Sequence, residues 1–292
     1  MTEPLCPTVT VVEVGPRDGL QNEAVPVPTA TKIRFVEALT NAGLRWVEAT
    51  SFVNPKAVPQ MADAADVMRG IRRATGVRYP VLVPNERGYD RAREAGVDAV
   101  ALFAAATEAF ANANLGTSVE GAMDRFAAVA VRARADGAWL RGYVSVAFHC
   151  PYSGAVSPEA VRPIVDRLLG MGCAEISLAD TTGRATPEAV SRLLAALADQ
   201  VPVGTLALHL HDTSGTALDN VDVGLAAGVR VFDSAAGGLG GCPFAPGAPG
   251  NLATESLVAH LEAKGFRTGV DPARLGAATA IVMPLVRPGS AQ

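Results

Sequence analysis

The chain has 292 residues, 49% of them apolar and 18% charged, which allows a packed core and excludes a disordered chain. Its 25 basic and 29 acidic residues leave a net charge of −4, which offers no electrostatic case for nucleic acid or an anionic membrane surface. The longest uncharged stretch, Ser234–Thr254, carries nine glycines or prolines and cannot form a membrane-spanning helix.

The elements follow a recurring joint: a helical stretch, a glycine, then a short β-rich run. An opening strand is predicted over Val9–Val14. Gly43 then precedes Trp46-Val47-Glu48, Gly76 precedes Tyr79–Val83, Gly96 precedes Ala99–Ala104 and Gly137 precedes Tyr143–Phe148. Gly172 precedes Glu175–Leu178 and Gly228 precedes Val229–Phe232, while Gln200-Val201-Pro202 replaces the glycine before Leu206–His211. A glycine just past a helix takes the left-handed conformation without a Cβ clash. The helices between are amphipathic, as in Val161, Ile164, Val165, Leu168 and Leu169. Ser157-Pro158-Glu159 and Thr186-Pro187-Glu188 read as matching helix starts. Alternating strands and helices predict a parallel sheet of the α/β class, and eight units favour a closed (β/α)8 TIM barrel over an open doubly wound sheet. Nothing resembles a linker. The chain is therefore read as a single domain over 1–292, with the barrel at about 8–253 and extra C-terminal helices at about 254–286.

In such a barrel, chemistry gathers where strands end. The first strand ends in Gly15-Pro16-Arg17-Asp18-Gly19, a cation beside a potential ligand carboxylate; a solvated turn ion pair is the bland reading. Glu48 ends the second strand inside an apolar run, where a lone carboxylate needs a partner; a structural salt bridge explains it as well. His209 and His211 alternate with Leu208 and Leu210, so both imidazoles share one face and form half of a metal site, or else are hydrogen-bonded interior histidines. With Asp18, this mixed imidazole and carboxylate set suits Mg²⁺ or Mn²⁺ better than structural zinc. The Gly/Pro-rich Gly237–Asn251 lacks nucleotide-binding spacing and reads as a mobile loop delivering one thiol, Cys242. The start of the chain, Met1-Thr2-Glu3-Pro4, lacks signal-peptide features, and the four cysteines form no C-x-x-C pair. A cytoplasmic location is expected.

Gly15–Glu23, Glu48–Asp63, His209–Thr213 and Gly237–Asn251 closely resemble the corresponding segments of 3-hydroxy-3-methylglutaryl-CoA (HMG-CoA) lyases. That family belongs to the metal-dependent acyl-CoA lyases and synthases built on (β/α)8 barrels. The resemblance runs from about Val12 to Val270. Its Arg-Asp and H-x-H elements are shared with Claisen-type synthases, and its cysteine loop is specific to the lyases. It implies that Asp18, His209, His211 and Asn251 hold a divalent ion, that Cys242 is catalytic, and that Arg17 holds the thioester carbonyl. It further assigns Glu48 and Asp180 as functional carboxylates and Asn114 to the substrate pocket. The implied reaction splits HMG-CoA, or a close 3-hydroxy-3-alkylglutaryl-CoA, into acetyl-CoA and a 3-oxoacid, as in leucine degradation and ketone-body formation. Asp18, His209 and Glu48 all remain candidates for the base.

The acyl-CoA is the expected partner, and a homodimer is allowed; nucleic acid and membrane are not expected partners. Departures from the family pattern fall near the pocket. Ala104, Ala179 and His149 stand where the family has glycine, and Thr107 where it has serine. Ala111, Asn112 and Ala113 replace basic residues that some relatives carry before Asn114. A condensing synthase of the same superfamily and a non-catalytic acyl-CoA-binding barrel are the alternatives.

Overall fold

The structure is a computed structural model that describes residues 7–240 and 250–286. In chain order its strands are β1 (Thr10–Glu13), β2 (Trp46–Val47), β3 (Thr50–Ser51), β4 (Val81–Leu82), β5 (Ala99–Ala105) and β6 (Trp139–Ser145). They continue with β7 (His149–Cys150), β8 (Gly154–Ala155), β9 (Glu175–Asp180), β10 (Leu206–Leu210) and β11 (Val231–Ser234). The α-helices are α1 (Thr29–Asn41), α2 (Ala64–Gly70), α3 (Glu86–Glu94), α4 (Glu108–Leu115) and α5 (Val119–Ala135). Then come α6 (Pro158–Gly170), α7 (Pro187–Leu197), α8 (Ala217–Ala226), α9 (Thr254–Ala263) and α10 (Pro272–Val286).

The main sheet is parallel, in the order β2-β1-β11-β10-β9-β6-β5-β4-β3. Its two ends are pieces of one strand, separated only by Glu48 and Ala49. β2 pairs with β1, Glu13 opposite Val47, while β3 pairs with β4, Thr50 opposite Val81. Across the break, Glu48 N donates to Glu13 O at 2.8 Å and Ala49 N to Pro80 O at 3.0 Å. The backbone hands over from one neighbour to the other at Glu48, and the eight units close into a barrel.

All six joint glycines are left-handed, with φ from +72° at Gly96 to +101° at Gly43. At Gly43 a Cβ would also lie 2.1 Å from Gly269 O, so no other residue fits there. Two strands shift from the sequence reading. β6 begins at Trp139 and ends at Ser145, after which the chain turns at Val146 and builds the antiparallel β7–β8 ribbon. β11 begins at Val231 because Val229 N still closes α8, donating to Gly224 O at 2.9 Å. That shift brings Asp233 into the ladder opposite Val12 and His209. At the two matching helix starts, Thr186 accepts from Ala189 N, whereas Ser157 makes no capping bond.

Strand parity decides what faces the barrel interior. A Cβ on Gly142 would meet Leu168 of α6 at 2.9 Å, so the flanking Arg141 and Tyr143 point inward. A Cβ on Gly224 of α8 would meet Leu208 at 2.6 Å, which sends His209 and His211 inward. The apolar residues of the opposite parity, such as Leu140, Leu178, Leu208 and Phe232, form the core beneath the helices. The C-terminal helices pack on the barrel, α10 against α1 and α9 beside β1.

Candidate active site

After β1, Gly15–Gly19 forms one wide helical turn in which the amides of Arg17, Asp18 and Gly19 all converge on Val14 O. The turn must lie close to the segment after β11. A Cβ on Gly19 would be 2.7 Å from Leu239 Cβ, and one on Gly15 would be 2.6 Å from Glu13 Oε1. Glu13 is buried and fastens these segments together. Its carboxylate accepts from Gly15 N at 2.8 Å, Ala236 N at 2.9 Å and the Thr254 hydroxyl at 2.7 Å. Burial outweighs those bonds and pushes its pKa up to about 7.

Above it, seven polar side chains run round the barrel interior. Arg17 Nε donates to Glu48 Oε2 at 2.7 Å, and Tyr143 OH donates to the same oxygen at 3.2 Å. Arg141 donates to Tyr143 OH at 2.7 Å and to Asp233 Oδ1 at 2.5 Å. Asp233 Oδ2 lies 3.3 Å from His209 Nδ1, and His209 Nε2 lies 4.0 Å from Asp18 Oδ2. Asp18 Oδ1 returns to Arg17 through a direct ion pair. Burial alone would make Arg17 a weaker base, but Glu48 and Asp18 beside it hold its proton more firmly than usual. Burial would likewise protonate Asp18, but Arg17 and the hydrogen bond from Asn251 hold its carboxyl below the usual range. Desolvation, then His209, pushes the His211 pKa down to about 3, so its imidazole is neutral.

This arrangement suits a cation. Ligand atoms of Asp18, His209 and His211 all lie within 4.8 Å of one another. They combine an ionised carboxylate with imidazole lone pairs, and His211 Nδ1 is buried without a hydrogen-bond partner. At 4.0 Å, His209 Nε2 and Asp18 Oδ2 are too far apart for a direct hydrogen bond. Asn251, in the segment after β11, joins beside His211 through an isolated antiparallel bridge. Its position is set by Leu252 N donating to Leu210 O at 3.0 Å and Asp212 N to Gly250 O at 2.7 Å. Its amide meets Asp18 through nitrogen, Nδ2 donating to Asp18 Oδ2 at 2.9 Å and to Leu239 O at 3.1 Å.

A cavity of about 260 Å³ opens above these polar side chains. Its lining includes the polar Arg17, Asp18, Tyr143, His209 and His211 and the apolar Val53, Val58, Leu82, Phe103 and Phe110, with Asn114 near Phe110 on α4. Glu48 sits behind Arg17, fully buried, with Oε1 unpartnered. Asp180 is occupied elsewhere, its oxygens accepting from the amides of Arg184 at 3.1 Å and Ala185 at 2.9 Å. Cys242 lies outside the described residues, as does most of the loop around it.

Of the departures, Ala179 lines the cavity. Thr107 caps α4 and donates to Cys150 Sγ at 3.2 Å, Ala104 is buried in β5, and His149 leaves its Nδ1 buried and unpartnered on β7. Tyr143, Arg141 and Asp233 went unnoticed in the sequence. Arg141 and Asp233 carry the signal that marked Glu48, a lone charge inside an apolar run, and parity places them on the inward face.

Three comparisons bear on this geometry. The chain matches the HMGL-like family model over residues 8–282. It is 51% identical over 274 residues to the mitochondrial hydroxymethylglutaryl-CoA lyase of Bos taurus, covering 94% of this chain and 84% of that protein. The cytoplasmic 3-hydroxy-3-methylglutaryl-CoA lyase of Mus musculus is 51% identical over 263 residues, covering 90% of this chain and 77% of that protein. The crystal structure of the HMG-CoA lyase from Brucella melitensis superposes with a TM-score of 0.94 at 49% identity, covering 96% of this chain and 99% of that one.

Proposed function

The chain belongs to the HMGL-like family, and on that premise we propose how its own residues cleave HMG-CoA, or a close 3-hydroxy-3-alkylglutaryl-CoA, to acetyl-CoA and a 3-oxoacid. It is a carbon–carbon lyase. The observation that carries the mechanism is the single cavity lined by Arg17, Asp18, His209 and His211 together with apolar side chains. Asp18, His209 and His211, with Asn251 beside Asp18, would hold a divalent cation, Mg²⁺ or Mn²⁺, which when bound would acidify the substrate hydroxyl and fix its oxygens.

The remaining steps belong to the side chains. The hydroxyl proton passes to Asp18 or His209, which line the cavity, whereas Glu48 lies behind Arg17 and serves to fix that guanidinium. Breaking the carbon–carbon bond leaves the electron pair on the acetyl thioester as an enolate. Arg17, preorganised by Glu48 and Asp18, faces that developing charge. Cys242 then donates a proton to the carbanion, giving acetyl-CoA. The apolar wall takes the alkyl group, and Asn114 marks the route for the acyl-CoA arm.

Acetyl-CoA release from HMG-CoA tests this reading. Chelation should abolish it and Mg²⁺ or Mn²⁺ restore it; release undiminished by chelation would sink the ligand assignment. Curated relatives include mitochondrial and cytoplasmic forms, and no helix among the described residues is long and apolar enough to cross a membrane. A cytoplasmic location and a homodimer belong to the proposal, to be read by fractionation and light scattering.

A further inference from the structure

We propose that Asp233 is a positioning residue that holds the proton of His209 on Nδ1, leaving Nε2 as the lone pair facing Asp18. This rests on the reading of His209 as a cation ligand. Asp233 is fully surrounded. Arg141 donates to Oδ1 at 2.5 Å, Ser177 Oγ donates to Oδ2 at 3.0 Å, and Oδ2 faces His209 Nδ1 at 3.3 Å. A carboxylate only accepts, so the imidazole nitrogen turned to it carries the proton. His209 Nδ1 is buried and no hydrogen bond of standard geometry satisfies it; Asp233 Oδ2 at 3.3 Å is the charged atom it faces.

Arg141 gives the arrangement its sense of direction. Its guanidinium is clamped by Glu175 Oε1 at 2.7 Å and by the Tyr143 hydroxyl at 2.7 Å, so it cannot turn away from Asp233. In an Asp233→Asn variant that guanidinium, a donor only, claims the amide oxygen at the Oδ1 position. The amide NH₂ is then left facing Ser177 and His209. Ser177 can accept, but His209 Nδ1 can meet an N–H only by giving up its own proton. The proton moves to Nε2, and the lone pair facing Asp18 is lost. Asp233→Asn thus conserves shape and inverts the tautomer, an effect that a merely structural partner of Arg141 would not produce. A carboxylate behind a ligating histidine commonly raises metal affinity by 10- to 100-fold.

Two measurements decide it. In the metal-free protein, ¹⁵N-histidine spectra at about pH 8, where imidazoles are neutral, should show His209 protonated at Nδ1 in the wild type and at Nε2 in Asp233→Asn. The His209 signals are assigned by their loss in His209→Gln. Titration with Mn²⁺ should show binding weakened about 10- to 100-fold in Asp233→Asn, with the folded baseline of its melting curve intact. A wild-type His209 protonated at Nε2 overturns the proposal, even if the variant does not fold. Unchanged Mn²⁺ affinity in folded Asp233→Asn overturns the positioning role alone. Mn²⁺ binding that survives His209→Gln overturns the ligand reading beneath it.

Discussion

One wall of the cavity carries Arg17 and Asp18 from the turn after β1, Tyr143 from β6, and His209 and His211 from the end of β10. The apolar part of the lining, here the second wall, carries Val53, Val58, Leu82, Phe103 and Phe110, Phe103 standing beside Tyr143. On the first wall the charges are paired, Arg17 with Glu48 and Asp18, because a buried charge without a partner costs several kcal/mol. The circuit from Arg17 through Glu48, Tyr143, Arg141, Asp233 and His209 to Asp18 is therefore all or nothing. The second wall is held by packing, as where Phe103 meets Phe126 with ring centres 5.6 Å apart. Packing tolerates changes that conserve volume. The expectation is that the polar residues govern the chemistry and the apolar ones the choice of acyl group.

Arg17→Met attacks the polar wall most directly. It removes the cation facing the developing enolate and leaves Glu48 and Asp18 without their shared partner. The expected loss is about a thousandfold in kcat, roughly 4 kcal/mol, and a lower Tm in the same protein. A kcat within tenfold of wild type would show that the circuit does not serve the reaction.

The footing of that wall is Glu13, and its signature is a pH dependence of stability. Folded Glu13 keeps its proton up to about pH 7, against an ordinary value of 4.5. Its contribution is therefore full below the unfolded value and is lost as pH rises through the folded one, amounting to about 3 kcal/mol over that window. Glu13→Gln keeps the bond-accepting oxygen but does not titrate. Denaturant unfolding should show the variant gaining on the wild type by up to that amount as pH rises; parallel stability curves would refute the assignment.

Cys242 tests whether a third element completes the cavity. Cys242→Ser should lower kcat about a hundredfold, near 2.7 kcal/mol, with little change in substrate binding. Alkylation should inactivate the wild type and be slowed by bound substrate. Cys173, whose pKa burial pushes up to about 12, serves as the unreactive control, while Cys150, where burial is outweighed by hydrogen bonds from Ser153 and Thr107 that lower its pKa, is the competing thiol. Near-normal turnover by the serine variant would remove Cys242 from the mechanism.

The smallest effect belongs to Ala179 on β9, which stands beside His209. Ala179→Gly removes one methyl from the cavity lining. It should change kcat/KM between short and longer 3-alkyl substrates about fivefold, near 1 kcal/mol. A loss of activity towards all substrates alike would place Ala179 with the chemistry instead of the acyl pocket.

Much of this molecule follows from local rules. The joint glycines announced their helix ends because left-handed backbone without a Cβ is a local requirement, and all six adopt it. The alternation of His209 and His211 with leucines announced a shared face, since strand parity is equally local. Asp18 and Asp180 show where such rules stop. Both are acids at strand ends, yet Asp18 is shared among Arg17, Asn251 and the histidines, while Asp180 is taken up by the amides of its own turn. Nothing in the neighbouring residues separates the two.

The chain by itself determined the eight units, their parallel order and the strand ends at which charged side chains gather. Only the tertiary structure decided that the strand containing Glu48 changes partners at that residue, that β11 starts late enough to present Asp233 to His209, and that Arg141 holds the other oxygen of Asp233. Periodicity records which face a side chain takes. Barrel closure and register, which no local stretch encodes, decide which side chains meet across that face.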